Sequence, residues 1–461
     1  MRDLALVAVI GPLLLWSLKR PEIGAYLWAW LSVMNPHKLA FGFAHNFPFA
    51  QAAAGVTLFA FLVAKGRKPF PGSTLTTIYL CFLVWMCVTT VFAIGDPIMV
   101  RDRWIFVMKI HLMMLVTLML LRGRKQIEIL LAVVVGSVAF FGIKGGAWTI
   151  ATGGGGRVWG PPGGMIEGNN ELAVALTMLA PFLFYFYQTV KMRWLRLALA
   201  VSMVLIAFSV LGSQSRGAFV ALTAMSIVLG LKSKHPVRAC LLILFVGLLA
   251  VGFMPDSWSL RMDTIQDYTA DSSAMSRLWT WITLWNLAVD HPIVGAGFGT
   301  DTLEVFARYA PTEPPYDIFA GRVYVAHSIY VQVLSEHGFV GLFLYLMLGA
   351  AIWIQASRVA KRAQLDPEFR DWAPLLMRMT QVGLAGFAAG GAFLSLVHLD
   401  VTFYLMGAVI LVDRTMRERI KVPDARLPPP KALQPAGASP RLSARPSVSP
   451  GSRSSTLRRS E

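Results

Sequence analysis

Apolar residues in this chain gather in blocks about 16–24 residues long, the length that carries a helix across a bilayer. Thirteen such blocks can be drawn, at 3–18, 21–35, 50–64, 74–94, 104–121, 126–146, 170–188, 195–211, 216–232, 238–254, 338–356, 375–396 and 400–413. A lipid-facing backbone must satisfy its own hydrogen bonds, so blocks of this kind form helices. The pattern predicts an all-α, polytopic transmembrane helical bundle. The first two blocks are short and form a hairpin or a broken pair, so twelve spans are as defensible as thirteen. The first, from Leu4 to Leu18, lacks a small-residue cleavage site and runs at once into the second, so it is expected to remain as a helix.

One long polar interval interrupts the pattern. It begins at Pro255, and a helical pattern resumes at His327-Ser328, with Gly338 and Gly341 beyond it. The chain therefore divides into about ten N-terminal transmembrane helices (1–254), a large loop (255–326), about three C-terminal helices (327–414) and a basic tail (415–461). The tail beyond Val422 is rich in Pro, Ser, Arg and Ala and holds too few large apolar side chains to fold, so disorder is expected.

Charge adds an orientation. Basic clusters lie at Lys65-Gly66-Arg67-Lys68, Arg122-Gly123-Arg124-Lys125, Lys191–Arg196, Lys232–Arg238 and Arg358–Arg370, all on one side if every block spans. The positive-inside rule makes that side cytoplasmic. The 255–326 interval carries four Arg, no Lys and nine Asp/Glu, consistent with export, and the C-terminus falls inside. The N-terminus is outside with thirteen spans and inside with twelve. About half of the formal charge of +17 sits in the tail, and the rest borders apolar blocks. This placement points to topology and anionic lipid headgroups, not to nucleic acid. The three cysteines (Cys81, Cys87, Cys240) lie inside apolar blocks and are expected as small buried residues.

Polar residues on the outer side carry the candidate chemistry. In Ser213-Gln214-Ser215-Arg216-Gly217, a serine can cap the helix that follows. Arg216 then sits at a helix N-terminus, whose free N–H groups already favour an anion, and Gly217 lets a ligand approach. The alternative is an interfacial arginine that reaches for headgroups. A helix is expected from Asp271, Ser272 or Ser273 to about Asp290. Arg277 in its first turns opposes the helix dipole and needs a carboxylate in the loop or a bound phosphate. Trp279, Trp281 and Trp285 are expected as packing or interface aromatics in preference to sugar platforms, and Gly295–Gly299 as a flexible turn.

His327 is the candidate general base, since an imidazole can take a hydroxyl proton near neutral pH. The alternative is a structural histidine. Read as one helix, positions 327, 331, 334, 338 and 341 share a face, so Gly338 and Gly341 either open a groove beneath His327 or admit another helix. Glu336, nine residues on, falls on the opposite face. The outer loop from Thr149 to Asn170 offers Gly153–Gly156 for mobility, Arg157 for an anion, and Asn169 and Asn170 as caps or hydroxyl binders; a plain interhelical loop is the alternative. There is no Cys/His metal spacing, no Gly-Lys-Ser/Thr phosphate loop and no Gly-X-Ser-X-Gly elbow. No metal or other cofactor is expected.

His327-Ser328 with Gly338 and Gly341 fits the pattern His, Asn/Ser/Gln, nine residues, Gly, two residues, Gly/Thr/Tyr, and so resembles the O-antigen ligase and polymerase superfamily. Ser215-Arg216-Gly217 is similar to that superfamily's arginine element. Ser276-Arg277-Leu278-Trp279 resembles its second arginine more loosely. The N-terminus, with Met1-Arg2-Asp3-Leu4, Ile23-Gly24, Trp28, Met34-Asn35-Pro36-His37-Lys38 and Phe47-Pro48-Phe49, looks like the O-glycosylation ligase branch associated with exosortase A. The resemblance covers about residues 1–415.

It implies an enzyme of the inner (cytoplasmic) membrane that transfers a glycan from an undecaprenyl-diphosphate carrier at the periplasmic face. The acceptor is a hydroxyl of a protein Ser/Thr or a lipid A core sugar. The chemistry is a metal-independent inverting displacement in which His327 is the base and Arg216, Arg277 and, less directly, Arg157 hold the diphosphate. A repeat-unit polymerase would use the same donor. A transporter or flippase would need paired charges deep in the spans, where Lys109, His111 and Arg378 are the few titratable groups. A non-catalytic scaffold would use the loop as a binding surface.

Overall fold

The computed structural model describes residues 1–66, 69–233, 252 and 272–421. Among them are fourteen α-helices, with no strand: α1 (Arg2–Lys19), α2 (Pro21–Met34), α3 (Phe49–Val63), α4 (Thr74–Val91), α5 (Pro97–Leu120), α6 (Gly123–Ala151), α7 (Asn169–Thr189), α8 (Arg193–Gly212), α9 (Arg216–Lys232), α10 (Ser272–Asp290), α11 (Leu303–Tyr309), α12 (Ile329–Gln364), α13 (Ala373–Gly391) and α14 (Asp400–Lys421). Six of them, α4 to α8 and α12, are long and apolar enough to cross a membrane. The chain is an all-α polytopic membrane protein. The apolar block at 238–254 lies outside the described residues, as do 255–271 and the tail beyond Lys421.

Local chemistry sets most boundaries. Ser73 caps α4 by accepting the Thr76 N–H at 3.1 Å. Asp96 caps α5 by accepting the Ile98 and Met99 N–H groups, and Pro97 occupies the first helical position, where no N–H is needed. α2 stops at Asn35, in the left-handed region (φ 48°), with Pro36 behind it. α1, α2 and α3 share a small core of Ile10, Leu27, Leu31, Phe49 and Ala53. The N-terminal motif residues hold the connection beneath it. Asp3 accepts the N–H groups of Gly42 and Ala44, and Arg2 donates to the Leu39 carbonyl.

The two ends of the bundle differ in chemistry. At one end Arg414 donates to the Leu118 carbonyl, Gly123 N–H to the Thr415 hydroxyl and Arg417 to the Gly72 carbonyl; Arg362 and Arg417 pair with Asp413, and Arg124 stacks on Trp372. The basic cluster at 122–125 and part of the 358–370 run thus gather there. The opposite end carries the turns at 152–168 and 213–215, the described part of the loop, and the 392–399 connection. Cys81 corrects the expectation of burial: it is exposed on the outer face of α4, while Cys87 is half-buried. A span presents apolar side chains to lipid as readily as to its neighbours.

The described part of the loop has its own apolar core. Trp279 is buried against Phe306 and Phe319, and its indole N–H donates to the Pro311 carbonyl. Trp279 thus has the packing role expected of it, whereas Trp281 is half-buried and Trp285 exposed.

Candidate active site

Three stretches that lie far apart in the chain meet at the loop-bearing end. The first is the α8–α9 turn. The chain reverses through Gln214 at φ 55°, a left-handed value few residues with a Cβ adopt. Ser215 then caps α9 by accepting the Ala218 N–H at 3.2 Å, which puts Arg216, half-buried, in the first helical position. The guanidinium and the positive end of the helix dipole place positive charge together. Asn169 Nδ2 donates to the Ser213 carbonyl at 2.8 Å, and Gln214 Nε2 to the Gly154 carbonyl at 3.4 Å. The glycine loop, Asn169 and the Ser-Arg-Gly turn are therefore one assembly. Arg157 is exposed at its edge, one residue before Val158, whose N–H donates to the Gly212 carbonyl.

The second stretch is the approach to α12. His327 precedes the helix and sits at φ 45°, a conformation that costs a β-carbon residue on the order of 1 kcal/mol. Two bonds hold it there. Its own N–H donates to Ser395 Oγ at 2.8 Å, and Trp281 Nε1 donates to the Ala326 carbonyl at 2.8 Å. Ser328 caps α12 by accepting the Val331 N–H. Burial pushes the His327 imidazolium down from the ordinary 6.5, and the charge of Arg277 pushes it further, to about 4. The base is thus neutral at neutral pH.

The third stretch is α10, which carries Arg277. Its charge is felt both at His327 and at Glu171, in the first turn of α7. Sequence reasoning asked for a carboxylate or a bound phosphate near Arg277; Glu171, on α7, is a carboxylate within its electrostatic reach. Phe393 joins all three stretches. Its Cβ lies 3.5 Å from where a side chain on Gly217 would begin, its ring sits 6.5 Å from Trp281, and Ser395, the partner of His327, is two residues on.

The two motif glycines act differently from the shared-face reading. Gly338 has φ 68° and ψ −174°, so α12 breaks there and the helical phase from 331 is lost; His327 itself lies outside the helix. There is no groove of glycines beneath His327. The break exposes carbonyls that the Gly295–Gly299 strap satisfies: Ala296 N–H donates to Ser335 O and Gly297 N–H to Glu336 O, both at 2.9 Å, while Phe339 N–H donates to Pro292 O at 2.8 Å. Residues 295–300 are buried, so this run is a docked strap and not the flexible turn expected. A side chain on Gly338 would begin 2.2 Å from the Ile293 carbonyl oxygen. Gly341 fits the other alternative, close approach of a helix: a Cβ there would lie 3.4 Å from the Trp85 indole of α4.

The break also brings together a cluster that sequence reasoning missed: it set Glu336 apart from His327 and did not single out His337 or His398. Glu336 and His337, the last residues before Gly338, meet His398 from the 392–399 connection, and all three are buried. Glu336 and His398 line a cavity of about 510 Å³ whose walls include Arg103, Asp301, Tyr324, Ala326 and Ser395. The cavity runs from the neighbours of His327 down to this cluster. No spacing motif marks it, because 61 residues separate the two histidines. The available signal was a Glu-His pair inside an otherwise apolar helix, which is costly without a use.

Residues 201–346 match the family model described as O-Antigen ligase, and residues 1–191 match one described as a family of unknown function, DUF5935. A search of curated proteins found no match. The first model spans Arg216, Arg277, His327, Gly338 and Gly341, the stretches assembled above, so residues 201–346 are similar to the O-antigen ligase family.

Proposed function

We propose that this protein transfers a glycan from a polyprenyl-diphosphate carrier to a hydroxyl acceptor at the outer face of the inner membrane. The O-antigen ligase match supports glycan transfer in polysaccharide or glycoconjugate assembly. The observation that carries the finer reading is the coupling of Arg277 to His327: a cation beside a neutral, half-buried imidazole whose backbone is held by hydrogen bonds at His327 N–H and the Ala326 carbonyl.

In this scheme the diphosphate of the donor binds between Arg216, at its helix N-terminus, and Arg277, with Arg157 at the rim. His327 takes the proton of the acceptor hydroxyl as its oxygen attacks the anomeric carbon. The bond from that carbon to the diphosphate oxygen breaks on the opposite face, and its electron pair leaves with the lipid diphosphate. The anomeric configuration inverts. The leaving group is an anion, and charge-assisted hydrogen bonds from the two arginines stabilise it as it forms. No step in the scheme is routed through a metal. The acceptor is a protein Ser/Thr or a lipid A core sugar; the basic end of the bundle faces the cytoplasm and the site faces the periplasm.

The test replaces His327→Ala and Arg216→Ala separately, with membrane insertion checked. His327→Ala should insert normally and lose transfer by at least about a hundredfold, the usual contribution of general base catalysis. Arg216→Ala should weaken binding of the lipid diphosphate. Full transfer by His327→Ala would remove the base assignment, and unchanged donor binding by Arg216→Ala would remove the diphosphate site. Products that form a ladder of longer lipid-linked glycans would identify a polymerase instead.

A further inference from the structure

We propose that Glu336, His337 and His398 form a buried site for a divalent transition metal of the zinc class, which pins the broken helix α12 to the connection that holds His327. The metal site stands apart from the glycan-transfer reading; only its role in positioning His327 rests on it.

The donor atoms converge. Glu336 Oε2 lies 3.9 Å from His337 Nε2 and 3.7 Å from His398 Nε2, and the three side chains are at most 7% exposed. All three atoms lack a hydrogen-bond partner. The separations exceed hydrogen-bond length, so a proton shared between any two of them does not close the gap. An atom at their centre does. Zinc–ligand bonds of about 2.0–2.1 Å put tetrahedral donors roughly 3.3–3.4 Å apart, a few tenths of an ångström inside the two Glu336–histidine separations, and all three donors lie within 4.8 Å of one another.

The Thr89 hydroxyl lies 3.1 Å from the Met86 carbonyl and 2.8 Å from His337 Nδ1. In the tautomer that carries its proton on Nδ1, the one a metal-bound His337 adopts, His337 donates to Thr89 Oγ1 and turns the lone pair of Nε2 toward the Glu336 carboxylate. Gln332 Nε2 donates to the other carboxylate oxygen at 3.3 Å, leaving Oε2 bare. Two electron-rich atoms thus face each other in a buried setting. Among the described residues, the groups within 4.0 Å of Glu336 Oε2 that could carry positive charge are the two imidazoles. A buried carboxylate in that position calls for a cation. Thr89 and Gln332 are the outer hydrogen bonds that orient metal ligands.

Access and selectivity follow from the surroundings. Glu336 and His398 open onto the 510 Å³ cavity, which also holds Asp102 and Asp301 and can supply water to a fourth position. Two imidazoles and one carboxylate suit zinc and its neighbours, whereas magnesium and calcium prefer all-oxygen sets. Bound there, the ion would tie together α12 at its break, α4 through Thr89, and the 392–399 connection. Ser395 on that connection holds His327, so the metal would be a positioning element and not a participant in bond making.

The test uses the full chain, tag-free, in nanodiscs. The protein is stripped with chelator, incubated with zinc chloride alone, desalted and assayed for metal content. The wild type should retain about one zinc per chain and melt at higher temperature with zinc but not with magnesium. His398→Ala and Glu336→Gln should each lose the retained zinc and the shift. X-ray absorption of the wild-type complex, which does not depend on the variants folding, should show nitrogen and oxygen ligands including two imidazoles. A wild type that retains no zinc overturns the proposal and leaves a bridging water in the gap. Equal retention by both well-folded variants, or a spectrum without two imidazoles, also overturns it.

Discussion

The base assignment can be tested through the position of a pH limb, using Arg277→Gln. The His327 imidazole titrates at about 4 instead of 6.5, with burial the larger cause and the Arg277 charge the second. The charge therefore accounts for less than half of the displacement, and removing it should raise the titration by at most about one pH unit. The sign is fixed by the role. A general base works when neutral, so activity is full above the titration and lost as pH falls through it. The acid limb of kcat/KM, which reports the free enzyme, should lie near pH 4 in the wild type and move up toward about pH 5 in Arg277→Gln. The kcat limb, which reports the enzyme–donor complex, should lie above the kcat/KM limb in the wild type, because a bound diphosphate offsets Arg277 and favours the imidazolium. Both are measured in proteoliposomes with a lipid-linked glycan donor. The height of the profile will also fall, since Arg277 is a proposed diphosphate ligand; only the limb position answers the question. Arg308→Gln, in the same loop but exposed and paired with Asp290, should leave the limb in place. A wild-type limb near 6.5, or one that Arg277→Gln leaves unmoved or lowers, would refute the electrostatic account of His327.

Two further substitutions probe the supports of the site. Gly338→Ala should lower the melting temperature, since φ 68° with ψ −174° is a region open to glycine and costs other residues about 1–3 kcal/mol, before the collision with the Ile293 carbonyl is counted. Gly349→Ala, in the same helix with open space at its Cβ, is the control, and equal melting of the two would show that the break is not needed. Ser395→Ala removes the acceptor of the His327 N–H and leaves that donor unpaired, a penalty of about 1–3 kcal/mol. It should lower kcat with little change in donor KM, while Ser395→Thr, which keeps the hydroxyl, should restore it; wild-type kcat in the alanine variant would exclude the positioning role.

How much of this was legible in the sequence depended on whether a feature was local. Helix length, the Ser215 cap and the end of α10 at Asp290 are set within a few residues of themselves, and the chain announces them. Gly338 was legible as a glycine but not as a break. A span read at uniform helical phase carries the 331 face through to 341, and only the φ of residue 338 shows that the phase resets. That one dihedral moves two conclusions. It removes the groove once assigned to His327, and it frees the Ser335 and Glu336 carbonyls that the 295–299 strap must satisfy. It also removes the reason to set Glu336 aside as pointing away from the site. Once the helix ends at His337, Glu336 and His337 belong to the floor of the cavity whose upper wall is Ala326 and Ser395. A short pattern in which a histidine, eleven residues later, is followed by a glycine therefore describes one construction. The histidine is held in a left-handed turn above the cavity, and the glycine breaks the helix below it so that backbone and carboxylate can be reached from the loop side. The spacing between them is the depth of the site.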